Sequence, residues 1–159
     1  MLFIKRMKVK KVDILFYHLT QSTLEDILPI LVERALARFD KVTIQCMSEE
    51  RRDAIDMRLW VYAEEAFIGH GTENDRYPNY QPVFLTTGQE NPNNSKIRFL
   101  IEGAICQDID SYQRLVVIFD GQSDAQLNFV RAQWKQYKMS NHNLTYWQQA
   151  EDRSWKKQV

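Results

Sequence analysis

The chain has two cysteines in 159 residues, Cys46 and Cys106, with no Cys-x-x-Cys pair and no Cys/His cluster near either. That spacing argues against both a zinc site and a disulfide framework, and a reducing, cytoplasmic setting fits it. Net charge is lacking as well: 21 Lys+Arg stand against 21 Asp+Glu. Counterion release, the force behind general nucleic-acid binding, therefore has no support from the chain as a whole, and any charge-based recognition must be local. Long apolar runs are missing. No stretch of about 18 apolar residues occurs, and residues 1–11 lack the apolar run of about 7 or more that a signal peptide needs, so neither a membrane span nor secretion is expected. No Pro/Gly/Ser-rich linker, internal repeat or low-complexity tract divides the sequence. The expected organisation is one domain over residues 12–145, a basic lead-in over 1–11, and a polar tail over 146–159 that carries Trp147 and Trp155.

What is present alternates between strand and helix. Residues 12–19 (VDILFYHL) form a near-continuous β-branched and aromatic run, suited to a strand buried on both faces. Ser22 followed by Glu25 has the form of a capping box, and Leu24, Ile27, Leu28, Leu31, Val32, Ala35 and Leu36 recur at helical spacing. Pro29 inside that run predicts a kink or a restart. Residues 41–46 read as a second strand, and Ser48 with Glu49 and Glu50 opens a second helix ending near Leu59 or Trp60. Such an order within about 60 residues implies parallel strands. The fold expected is α/β: a single-domain, Rossmann-like, mostly parallel sheet flanked by helices. Residues 63–81 read as loop, and strands follow at 82–85, 96–101 and 114–119, the last of the series.

A sheet of this kind invites a test for nucleotide binding at the turn after its first strand. That turn, His18-Leu-Thr-Gln-Ser22, contains no glycine, and no Gly-Lys-Ser/Thr occurs anywhere. Dinucleotide and P-loop sites need those residues for close backbone approach to phosphate, so no nucleotide-binding loop and no cofactor are expected. The histidines His18, His70 and His142 are not paired with a nucleophile elbow or a metal motif. His70, between Gly69 and Gly71, is the best candidate base for a small hydrolase or nucleotide-dependent enzyme. A loop histidine bonded to backbone is the simpler account, and neither catalytic nor metal-binding residues are assigned.

Residues 123–140 carry the most informative pattern. Leu127, Val130, Trp134 and Tyr137 fall at i, i+3, i+7 and i+10, one apolar seam along a helix. At roughly 100° per residue, Arg131, Lys135 and Lys138 land beside it. Two readings stand at this point: a core helix with solvated cations near its negative end, or a border that holds a ligand apolar at one point and anionic next to it. Trp60 and Phe67 likewise read either as core plugs or as a partner-binding patch. A third use, stacking of single-stranded DNA on Trp134 and Tyr137, is disfavoured by the neutral charge and the lack of several spaced aromatics.

Taken together, these residues resemble the chi subunit family of bacterial DNA polymerase III holoenzyme. The likeness runs from Val12 to Leu144 and is clearest at Phe16-Tyr17, Leu59-Trp60 with Phe67 and His70, the run from Leu85 to Asn93 (LTTGQENPN), and residues 131–137 leading to Asn143-Leu144. The resemblance implies a non-catalytic subunit that touches DNA only indirectly. One surface would hold the C-terminal tail of single-stranded DNA-binding protein, a short acidic peptide ending in Pro-Phe. Another would hold the psi subunit, which leads to the clamp loader, or a competing DinG-type helicase. Carried over by residue, Arg131 would pair with the peptide's α-carboxylate, Trp134 would wall the pocket for its terminal Phe, and Lys135 would face its aspartates. Leu127 stands where the family can have a lysine, for which Lys138 would compensate. Trp60 and Phe67 would belong to the surface for psi or the helicase.

Overall fold

Eight strands form one sheet in the order β3-β4-β2-β5-β6-β1-β7-β8. The computed structural model describes residues 10–66, 70–75 and 77–159. In chain order the elements are β1 (Asp13–Leu19), α1 (Leu24–Phe39), β2 (Val42–Gln45), α2 (Glu49–Ala66), β3 (His70–Thr72), β4 (Val83–Thr86), β5 (Ile97–Ile101), β6 (Arg114–Asp120), α3 (Asp124–Met139), β7 (Asn143–Gln149) and β8 (Trp155–Lys157). Every strand pairing is parallel except that of β7 with β8. The Rossmann-like, mostly parallel α/β architecture expected from the strand–helix alternation is the one observed.

Strand alternation sends side chains into two cores. Ile14 and Phe16 of β1, with Leu115, Val117 and Phe119 of β6, face α3, whose Val130 and Tyr137 are 3 % and 4 % exposed. The residues between them, Leu19 of β1 and Val116 and Ile118 of β6, pack with Leu28 and Val32 of α1 and with Ile55 and Leu59 of α2. Burial of both faces is why these strands read as continuous apolar runs.

Five local expectations are corrected. The N-cap of α1 is Thr23, whose side chain accepts from the Asp26 N–H, because one residue further along the chain places the hydroxyl over the free first-turn donors. Pro29 lies within one continuous helix, so the chain does not restart there, and the carbonyl it leaves without a donor, Glu25 O, accepts instead from Arg58 Nε at 3.1 Å. Helix α2 extends to Ala66, past Leu59 and Trp60, and residues 70–72, read as loop, add an edge strand to β4. Finally, β6 is not the last strand. Residues set apart as a polar tail carry most of β7 and all of β8, because backbone pairing with β1 orders a segment whose composition is polar.

Candidate functional site

Helix α3 starts where Ser123 caps it, its hydroxyl accepting from the Gln126 N–H at 3.3 Å, and it ends at Ser140, with Lys138 in the last turn beside the negative end of the dipole. The apolar seam divides on packing. Val130 and Tyr137 point into the core, whereas Leu127 and Trp134 are half-buried along the side that faces β7. Trp134 packs edge-on against Phe16 of β1 (centroids 5.1 Å apart) and against Tyr146 of β7 (5.7 Å). Register explains the meeting: Phe16 is paired with Tyr146 across parallel strands, so both rings project to the α3 face.

The space left between α3 and β7 is a groove of about 460 Å³, lined by Leu127, Val130, Arg131, Trp134 and Lys135 on one side and by Tyr146, Gln148, Gln158 and Val159 on the other. Five of the six residues expected to face a tail peptide thus line one groove, while Lys138 is exposed beyond it. Arg131 and Lys135 stand exposed at the rim, neither in an ion pair among the described residues, and no Asp or Glu side chain lines the groove. Its chemistry is an aromatic floor bordered by free cations.

The wall formed by Tyr146, Gln148, Gln158 and Val159 was missed in sequence because it lies in the segment taken for a tail. A signal was there: Thr145, Tyr146 and Trp147 are three consecutive residues of types enriched in strands.

Behind the groove, the Tyr146 hydroxyl shares a hydrogen bond with His18 Nδ1 at 2.7 Å. Burial pushes the His18 pKa below its ordinary value of 6.5; the field of Asp120 opposes this and the Arg131 charge adds to it. The neutral imidazole is therefore favoured in the folded state. Its contribution to stability is complete above pH 6.5 and is lost as the pH falls from there through the lower folded pKa. Denaturant midpoints should drop below pH 6.5 more steeply for the wild type than for His18→Asn; identical pH profiles would contradict this assignment.

At the end of β1, where a nucleotide phosphate would sit in a related sheet, the turn is already occupied from within. The backbone N–H groups of Thr20, Gln21 and Ser22 all donate to Gln149 Oε1, at 3.3, 3.1 and 3.0 Å, and the Gln149 Nε2 donates to the Ser22 hydroxyl. A neutral amide, 3 % exposed, holds the donors that would otherwise cradle an anion. Titration with ATP or NAD should show no binding; micromolar affinity for either would overturn this reading.

A second surface lies on α2. Met57, Trp60 and Val61, which share one helical face, are 65 %, 57 % and 53 % exposed. The Trp60 ring rests on His70, centroids 4.5 Å apart. Phe67 lies outside the described residues. The His70 ring itself is buried, with Nε2 at 3.2 Å from both the backbone oxygen and Oδ1 of Asp56. It is enclosed by α2, so the geometry does not present it to a substrate. Among the described residues no cluster of His, Cys, Asp and Glu could hold a metal, and no helix is long and apolar enough to cross a membrane.

Fold and groove define the class first: an α/β domain of the Rossmann-like kind whose nucleotide turn is filled by its own side chain and whose aromatic, cation-rimmed groove lies on an outer helix. The family model described as "DNA polymerase III chi subunit, HolC" matches residues 12–145, and the chain belongs to that family. A "Probable DNA polymerase III subunit chi" of Rickettsia prowazekii (strain Madrid E) is 24 % identical over 111 residues, which is 65 % of this chain and 67 % of the relative. The chain is accordingly a chi-family subunit of the DNA replication machinery.

Proposed function

We propose that the chain is a non-catalytic link in the replisome, holding the acidic C-terminal tail of single-stranded DNA-binding protein in the α3–β7 groove and joining it to the clamp loader of DNA polymerase III. The observation that carries this reading is the placement of unpaired Arg131 and Lys135 on the rim of a groove floored by Leu127, Val130 and Trp134. A peptide ending in Phe brings an aromatic side chain and an α-carboxylate a few ångströms apart. The groove offers an aromatic surface for the first and a guanidinium for the second, and charge-assisted pairing of that kind is strong. Lys135 would face the tail's aspartates. DNA is then reached only through the partner, and the cytoplasm is the compartment where these partners meet. Calorimetric titration with the bare tail peptide should give saturable binding, and the same peptide without its terminal Phe should bind at least about ten-fold more weakly. Equal binding of both peptides would exclude this use of the groove.

The exposed stripe of Met57, Trp60 and Val61 is the proposed surface for psi or a DinG-type helicase, with Phe67 as its further member. Helices α2 and α3 pack on opposite faces of the sheet, which suits a protein that holds two partners at once. Because Trp60 is 57 % exposed, Trp60→Ala should leave the melting temperature nearly unchanged, whereas a buried Trp would cost about 3–5 kcal/mol. The variant should lose binding to psi or the helicase and keep tail binding. A large loss of stability without selective loss of one partner would return Trp60 to a packing role.

A further inference from the structure

At the opposite end of the sheet from the filled turn, three arginines surround one pocket. Arg34 and Arg38 come from the second half of α1, Arg114 from the first position of β6, and together with Tyr17 and Phe39 they line a pocket of about 190 Å³ floored by Leu15, Phe99 and Val116. The guanidinium carbons of Arg38 and Arg114 lie 5.5 and 5.3 Å from the centroid of the same Phe39 ring. Two like charges are thereby held over one aromatic ring, and none of the three arginines is in an ion pair among the described residues. Asp13, in register with Arg114 on β1, accepts from Asn143 Nδ2 at 3.1 Å. Arg114 Nε is buried with no hydrogen-bond partner in the described structure. Burial, and next the field of Arg38, push the Arg114 pKa down, and the field of Asp13 opposes them. One basic residue near the end of α1 would suffice for its dipole.

We propose that this pocket is a second peptide site, taking one carboxylate from an acidic segment of a partner protein with the neighbouring apolar side chain on the Leu15–Phe99–Val116 floor. Three arginines line this one pocket, and planar guanidinium forks suit a carboxylate. A nucleic-acid strand requires cations spaced along a track, and here Asp40 caps the end of α1 while Asp13, on the neighbouring β1, stands in register with Arg114.

The test is amide NMR of the full chain at constant ionic strength, titrated separately with N-acetyl-leucine, inorganic phosphate and an oligothymidylate. N-acetyl-leucine should give saturable shifts at Tyr17, Ala35, Phe39 and Arg114. Arg34→Ala/Arg38→Ala, at exposed positions, should weaken them about ten-fold or more with the remaining spectrum intact. Arg131→Ala should leave them unchanged, which separates this pocket from the α3–β7 groove. Tighter binding of phosphate or the oligonucleotide at these amides, or no saturable shift with any probe, would overturn the proposal.

Discussion

Arg98→Met should lower stability by about 3–5 kcal/mol, or roughly 6–20 °C in melting temperature. Arg98 is fully buried in β5 and meets no carboxylate among the described residues. Its charge is dispersed over acceptors: Gln45 Oε1 at 2.9 Å, the Tyr112 hydroxyl at 3.0 Å, Glu90 O at 3.1 Å and Gly88 O at 2.6 Å. Methionine nearly fills the volume, so the loss isolates the stranded acceptors from any cavity. Arg98→Lys should recover only part of it, because one ammonium cannot reach four acceptors set out for a planar fork. Equilibrium denaturation measures both, and a change below about 1 kcal/mol for Arg98→Met would mean that water replaces the guanidinium without cost.

Arg131→Ala should weaken tail-peptide binding by at least about 2 kcal/mol, close to thirty-fold, with stability within about 0.5 kcal/mol of the wild type. Arg131 is exposed and has no ion-pair partner among the described residues, so its removal strands no buried group there. Lys138→Ala should cost far less, about 0.5 kcal/mol, since that ammonium lies outside the groove and acts through solvent. Calorimetry on the two variants checks the order, and equal losses would point to a diffuse charge effect instead of a seated carboxylate.

The parts legible in the sequence were those governed by local period. The α3 seam and its cations could be placed because helical spacing alone decides which side chains are neighbours, and β1, β5 and β6 could be placed because burial on both faces leaves continuous apolar runs. What escaped depended on contacts between distant segments. Gln149 fills the turn at residues 20–22 from almost the whole length of the chain away, and nothing near either segment signals it. Strand β7 is polar by composition and is ordered by pairing with β1. The run from Leu85 to Asn93 carries part of the family resemblance, and the bonds it makes are structural. Gly88 and Glu90 serve Arg98, while Asn91 and Asn93 accept from the buried Thr43 hydroxyl and Asn93 Nδ2 donates to Val42 O and Gln81 O. Sequence spacing showed which polar residues were present, and only the fold shows which buried groups they satisfy.

The most direct measurement is the set of intermolecular NOEs between the isotope-labelled chain and the unlabelled tail peptide of single-stranded DNA-binding protein. The account predicts contacts from the terminal Phe ring to Leu127, Val130, Trp134 and Tyr146, with the Arg131 guanidinium resonances moving on saturation. Peptide contacts confined to another surface, or a saturated complex in which the Trp134 and Tyr146 rings show none, would contradict it.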